Sequence, residues 1–421
     1  MVKRSITFEG LRYLYLVLFC NGEDVMGIKS INLLAFDVIS SIGSKIFSFA
    51  CAFYILKHTN DPLIYTIYLS LIVLSTILSQ PLFGVWVDKF NNKKLVIVAQ
   101  IINVIFLSIF IVKFNYIYII VLGVILNLTD GIIGLIVNSN IKNISKKDMA
   151  RFVSIRQTYT VTISFLAPIL GGMLIAILKI EYLALINVIT ELSSIFVFLF
   201  IKIDRLIESK SNSNSFLKDI KVGFSYLIKN KILLNFMLVG LIINFLVNSI
   251  VVGVPIIAIQ SMKLSSQQFG FTEAGMTIGM FIVSLGLSIR PLKHRLKGPF
   301  EISVILQVIA LWILSLSIFL SLTVNISFIL ITLVYFISGL SLPLANTPYS
   351  IYLQNTVEEQ YKGRVFSLNQ SIAQSLMPVS FLIFGFILKY SQSLTYLIVS
   401  ILMLVALVYF DKTVKKEDIK F

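Results

Sequence analysis

KLVIVAQIINVIFLSIFIV at 94–112, KFN at 113–115 and YIYIIVLGVILNLTDGIIGLIVN at 116–138 decide the fold. A bilayer core about 30 Å thick takes roughly 20 apolar residues of helix per crossing. Each of the two long runs meets that length, and the break between them is short and polar. Neither run shows the ten-residue alternation of barrel strands, so helices are the spanning element.

The same pattern extends outward in both directions. Twelve runs fall near 31–56, 62–87, 94–112, 116–138, 152–178, 181–201, 232–260, 268–289, 299–322, 325–353, 365–388 and 393–410. With 57% hydrophobic and 13% charged residues over 421 positions, and a mean hydropathy of +0.93, too little polar surface is left to cover a soluble protein. The expected fold is an all-α integral membrane protein with twelve transmembrane helices. The chain divides into an N-terminal segment (1–30), a six-helix half (31–201), a polar linker (202–231) containing SKSNSNS at 209–215, a second six-helix half (232–410) and a tail (411–421).

Charge predicts the orientation, because short loops rich in Lys and Arg stay cytoplasmic. Of the 35 basic residues, 28 fall on the side of the N-terminus, and five (Lys57, Lys113, Lys179, Lys263 and Lys389) fall in the opposite loops. Lys45 and Arg156 lie inside spans or at their ends. Both termini are therefore expected in the cytoplasm, with the protein in the plasma membrane. The net charge of +15 follows this topology and forms no separate basic domain, so nucleic acid is not an expected partner. Leu11–Cys20 is too short to span and lacks a small-residue cleavage site after it, so the first 30 residues are expected to lie at the interface or to form a tail.

Two cysteines, Cys20 and Cys51, make no disulfide framework, and His58 and His294 are too far apart for a metal site. No Gly-rich phosphate loop is present. An enzyme, a metal and a cofactor are not expected, and any uphill transport must use a gradient or a separate ATPase partner.

A weak repeat relates the halves. Arg151, Ser154, Gln157 and Gly172 recur as Arg364, Ser367, Gln370 and Gly385, each 213 residues later. Both copies run into a span with a proline, Pro168 and Pro378. Parallel six-span repeats around a midplane site are one architecture of secondary transporters.

GVWVDKFNNKK at 84–94 resembles the signature loop of the major facilitator superfamily: Gly84, then Asp88, Lys89, Lys93 and Lys94. On physical grounds Gly84 permits close helix approach, Asp88 can cap and pair across the bundle, and the lysines hold the loop in the cytoplasm. APILGG at 167–172 resembles the fifth-span motif of proton-driven exporters; Pro168, Gly171 and Gly172 would kink and thin that helix. The stretch from Gly339 through Pro343, Asn346, Leu353 and Gln354 to YKGRVFSL, with Gly363 and Arg364, resembles the macrolide-efflux branch. That resemblance covers roughly 31–410. Many members carry an arginine in the fourth span tied to proton handling; here Asn127 stands in that region, with Asp130 one turn on. Coupling is rebuilt around other groups, or proton coupling is absent.

Ionisable residues inside spans cost about 2.5–3.5 kcal/mol on insertion scales and mark function by default. They are Asp37, Lys45, Asp130, Glu191 and Glu273. At 1.5 Å per residue, Asp37 and Asp130 lie at similar depth and are expected to face one another across a cavity. Lys45 is turned about 80° from Asp37, and its stem reaches toward Glu191. Glu273 is expected to snorkel to water. Asn244 and Asn248 share a helical face that lines a cavity or bonds a neighbouring helix; with Asn127 and Asn346 they complete the expected substrate cavity. Arg151 and Arg364 are expected to latch their halves. The expected function is proton-coupled export of a small lipophilic compound, such as a macrolide-like antibiotic, by a monomer using alternating access. The alternatives are an uptake symporter or facilitator for a metabolite, and a non-transporting assembly partner or sensor.

Overall fold

The computed structural model describes residues 27–59, 61–112, 115–144, 149–201, 224–225, 228, 230–289, 297–320, 322–358, 365 and 369–414. Among them, twelve helices are long and apolar enough to cross a membrane. They are α1 (Ile28–Thr59), α2 (Pro62–Lys89), α3 (Asn92–Val112), α4 (Tyr116–Ile144), α5 (Met149–Ile177), α6 (Ile180–Leu199), α7 (Lys231–Ile256), α8 (Ser266–Ile289), α9 (Lys297–Phe319), α10 (Val324–Thr356), α11 (Asn369–Leu388) and α12 (Gln392–Thr413). The protein is a multi-pass membrane protein. Gly363, Arg364 and the segments 1–26 and 202–223 lie outside the described residues, and so does the side chain of Asp88.

Short polar breaks start and stop these helices. Asp61 caps α2 by accepting the Leu63 N–H at 3.0 Å, and Pro62 follows at the position where a missing donor is harmless. Asn230 caps α7 in the same way through the Leu233 N–H. Pro255 removes a backbone donor near the end of α7, which continues as a π turn over Ile257–Ser261. Pro168 sits inside an unbroken α5, whereas α11 is interrupted by a turn at Leu376 before Pro378.

Helices pack in two groups of six. In the first, α1 lies against α4, α5 and α6, and α3 lies against α4 and α6; in the second, α8 and α9 flank α10, and α7 and α9 pack on α12. Between the groups, α5 meets α8 and α2 meets α11. The described contacts that join the halves lie toward the face holding the turns 57–62, 177–180, 261–266 and 388–392. Gln260 Nε2 donates to the Leu56 carbonyl at 3.1 Å, Ser70 Oγ donates to the Pro378 carbonyl at 3.1 Å, and Lys389 Nζ lies 3.7 Å from Asp61 Oδ2. Phe49 of α1 stacks on Phe269 of α8 with centroids 5.7 Å apart.

Two glycines let this seam close. A Cβ on Gly172 would stand 2.3 Å from the Ser266 carbonyl oxygen of α8, and one on Gly270 would stand 2.3 Å from the Pro168 carbonyl oxygen of α5. Gly385 of α11 plays the matching part: a Cβ there would stand 2.3 Å from Thr66 Oγ1 of α2. Gly172 and Gly385 are the two copies of the sequence repeat, so the repeat marks two equivalent contacts of a pseudo-symmetric seam. Toward the other, basic face the halves separate. There Val153, Ser154, Gln157 and Thr158 of α5 line a hollow of about 500 Å³ whose far wall is Phe281 of α8.

Candidate functional site

The N-terminal half holds the charged part of the site. Asp37 of α1 accepts from Arg156 Nε of α5 at 2.7 Å and from the Tyr159 hydroxyl one turn further along α5. Arg156 Nη1 donates to Asn138 Oδ1 of α4. Three helices are thus tied at one point near the basic face. In the sequence Arg156 stands out only as a basic residue inside a span or at its end. The signal was there: an arginine one turn or more into an apolar helix is costly unless it is paired.

Asp130, midway along α4, is exposed. Its neighbours Lys45, Asp37 and Ser44 all lie on α1. The exposure is therefore to the cleft between the halves. Asp37, expected to face Asp130 across a cavity, is engaged by Arg156. Lys45 faces Asp130 rather than Glu191. The helical face explains this: Ser40 and Ser44 point to α6, and Lys45 is rotated about 100° from Ser44.

Glu191 of α6 is fully buried. Ser40 Oγ and Ser44 Oγ donate to its carboxyl oxygens at 3.3 Å, and Asn103 of α3 sits against it. Asn103 Oδ1 in turn accepts from Thr129 of α4 at 2.5 Å. A polar network therefore runs through the centre of this half.

Glu273, expected to snorkel to water, is half-buried and near Tyr65 of α2 and Tyr335 of α10.

The C-terminal half holds an uncharged pocket of about 260 Å³ between α7, α9, α10 and α11. Asn244, Gln307, Ser341, Asn346, Tyr349 and Asn369 supply its polar wall, and Phe236 and Phe300 its aromatic wall. Asn244 Nδ2 donates to the Ala373 carbonyl at 3.2 Å, and Tyr349 donates to Asn369 Oδ1 at 2.5 Å. Asn346 is exposed. Asn248 lies deeper, 2% exposed, and does not line this pocket. Asn127 belongs to the other half, where its Nδ2 bonds the Ile72 carbonyl at 3.1 Å and Thr76 Oγ1 at 2.7 Å, clamping α4 to α2.

In the signature loop, Lys93 Nζ donates to the Leu199 carbonyl at 2.6 Å, at the negative end of the α6 dipole. Lys89 and Lys94 are exposed, and Arg151 is half-buried. Gly84 was expected to allow close approach, yet a Cβ there would meet nothing within 4 Å, because the halves stand apart at this face. Gly84→Ala should therefore leave the stability of the detergent-purified protein, read by thermal unfolding, within about 0.5 kcal/mol of the original. A transport defect in the same variant would locate the contact of Gly84 in the opposite conformation.

Two six-helix halves around a cleft that is closed at one face and open at the other have the architecture of a secondary transporter. A family model described as Major Facilitator Superfamily matches residues 34–382, and the chain belongs to that superfamily, a family of transporters and not of enzymes. Macrolide efflux protein A of Streptococcus pyogenes is 22% identical over 364 residues, covering 85% of this chain and 88% of that protein. Its namesake from Enterococcus faecalis is 23% identical over 307 residues, covering 71% and 93%. Similar folds include the nucleoside transporter NupG, with a TM-score of 0.68 at 15% identity over 92% of this chain and 99% of that one. A bacterial homologue of the iron transporter ferroportin gives a TM-score of 0.70 at 16% identity, covering 91% and 98%.

Proposed function

We propose that this protein exports small lipophilic, cationic compounds of the macrolide type from the cytoplasm, in exchange for protons, by alternating access across the plasma membrane. The observation that carries the reading is Asp130: a carboxyl exposed at mid-span inside a cleft open toward the basic face. The excess of Lys and Arg makes that face the cytoplasmic one. The open cleft is then the state that loads substrate from inside, with both termini cytoplasmic and the segment 202–231 linking the halves. The macrolide-efflux names of the relatives support this choice of substrate class and direction.

The two halves divide the work. Asp130, balanced by Lys45, offers a site for a substrate cation or a proton, and only one of the two can neutralise it at a time. The amide-lined pocket of the C-terminal half receives the uncharged polar groups of the ligand, against the rings of Phe236 and Phe300. Alternation then moves the cleft from one face to the other around a fixed site. On this reading the protein acts as a monomer driven by the proton gradient.

The test is drug susceptibility of a host lacking its own pumps, across a panel that includes macrolides, followed by uptake into inverted vesicles with an imposed pH gradient. Expression should raise macrolide resistance, and Asp130→Asn should reduce gradient-driven accumulation at least about tenfold, equivalent to 1.4 kcal/mol. Unchanged accumulation in that variant would remove Asp130 from the coupling site. Protection against no member of the panel would remove the drug-export reading.

A further inference from the structure

Glu191 sits where the drug cannot go. It is 0% exposed, on the far side of α1 from the cleft. A glycine seals it in: a Cβ on Gly43 of α1 would stand 1.9 Å from Thr190 Oγ1 and 2.7 Å from Asn187 Oδ1 of α6. Only glycine lets α1 close over α6 at the level of Ser44 and Glu191.

The groups around Glu191 are neutral or remote. From α1 come the hydroxyls of Ser40 and Ser44. Lys45 on that helix faces Asp130, and Asp37 is held by Arg156 and Tyr159 of α5. From α3 come Gln100, which bonds Ser194 of α6, and Asn103, both uncharged; Asn103 Nδ2 has no hydrogen-bond partner among the described residues. From α4 comes Asp130, the one titratable group that acts directly on Glu191. No Lys, Arg or His lies within ion-pair distance of Glu191 among the described residues. A sealed carboxyl with no resident cation and no room for a larger one has one cation it can exchange, the proton.

Ser44 offers a path for that proton. Its Oγ donates to Glu191 Oε1 at 3.3 Å and stands close to Asp130. One hydroxyl thus lies between a sealed carboxyl and a carboxyl open to the cleft. We infer that Glu191 is a buried proton-binding site of this transporter, loaded and emptied from the cleft through Ser44 and Asp130. In the transfer, the acid proton of Glu191 passes to Ser44 Oγ as the Ser44 hydroxyl proton passes to the Asp130 carboxylate. Serine ends unchanged, Glu191 gains a negative charge and Asp130 loses one. A cationic ligand at Asp130 would oppose proton arrival there, so drug and proton would compete at Asp130 while the proton is stored out of the ligand's reach. The inference rests on the proton-coupled reading above, and it assigns the store to a residue on a helix that does not line the cleft.

Infrared difference spectroscopy of the purified protein, with no drug present, tests it. Wild type titrated across pH should show a protonated-carboxyl C=O band that Glu191→Gln removes, Asp37→Asn leaves in place and Glu191→Asp brings back at a shifted frequency. Ser44→Ala should keep the band but slow its response to a pH jump at least about tenfold. Absence of a titrating band in wild type, its persistence in Glu191→Gln, or wild-type kinetics in Ser44→Ala would each overturn the assignment. If Glu191→Gln fails to fold, Glu191→Asp and Ser44→Ala still decide the matter. Vesicle accumulation of a radiolabelled macrolide, run in parallel, separates the two readings: no macrolide transport by wild type would overturn the substrate while the infrared result stands.

Discussion

Gly172→Val and Gly385→Val should each force the protein out of the conformation seen here and abolish transport while leaving insertion intact. The first Cβ atom alone would stand 2.3 Å from a backbone carbonyl at Gly172 and 2.3 Å from a threonine hydroxyl at Gly385, far inside van der Waals contact. Overpacking of this kind costs about 1–3 kcal/mol. Two alternating states within a few kcal/mol of one another would then shift in population by about ten- to a hundredfold. The reading is accessibility of a cysteine at position 70, just beneath the seam, in a background without Cys20 and Cys51. In wild type Ser70 is buried and bonded to the Pro378 carbonyl. An impermeant thiol reagent added to intact cells should label the cysteine far faster in either valine variant. Gly172→Val should have the larger effect, because Ser266 offers rigid backbone where Thr66 offers a side chain that can rotate. Equal labelling in wild type and both variants would mean that the glycines do not set the seam.

Loss of Arg156 should be the most damaging single change in the N-terminal half. Asp37 accepts from Arg156 Nε and from Tyr159, with side-chain exposures of 13% for Asp37 and 22% for Arg156. Removing one partner of a mostly buried pair leaves the other uncompensated. Because both groups keep some contact with water, the expected loss for Arg156→Gln is about 1–3 kcal/mol rather than the full cost of a dry pair. Arg156→Lys should recover little, since a point charge cannot bond Asp37 and Asn138 at once as the guanidinium fork does. Asp37→Asn combined with Arg156→Gln should be less damaging than the sum of the two. Thermal unfolding in detergent around this double-mutant cycle should return a coupling of about 0.5–3 kcal/mol. Additive effects would show that the pair does not hold α1, α4 and α5 together.

These expectations draw on different layers of information. The twelve spans were legible from runs such as 94–112 and 116–138 because the bilayer imposes a length and an apolarity on each crossing, and both are local properties of a chain. The repeat was legible too: Gly172 and Gly385 keep their 213-residue offset, and both fall on the seam. The residues carrying charge within the membrane were also evident from sequence, because charge is rare there and expensive. Their partners were not. The pairing of Asp37 with Arg156 spans 119 positions, and the contact of Ser44 with Glu191 spans 147; both depend on how α1 is rotated between its neighbours. The helical wheel separates Ser44 from Lys45 but does not say which of them faces α6. Gly43, which admits Thr190 and Asn187, answers that question, and it does so only once the helices are side by side. The conformation itself was likewise beyond the sequence. Closure at one face and opening at the other are two packings of the same apolar surfaces, close in free energy. The sequence alone therefore determined which segments cross the membrane, while tertiary packing decided which side chains meet and at which face the cleft is open.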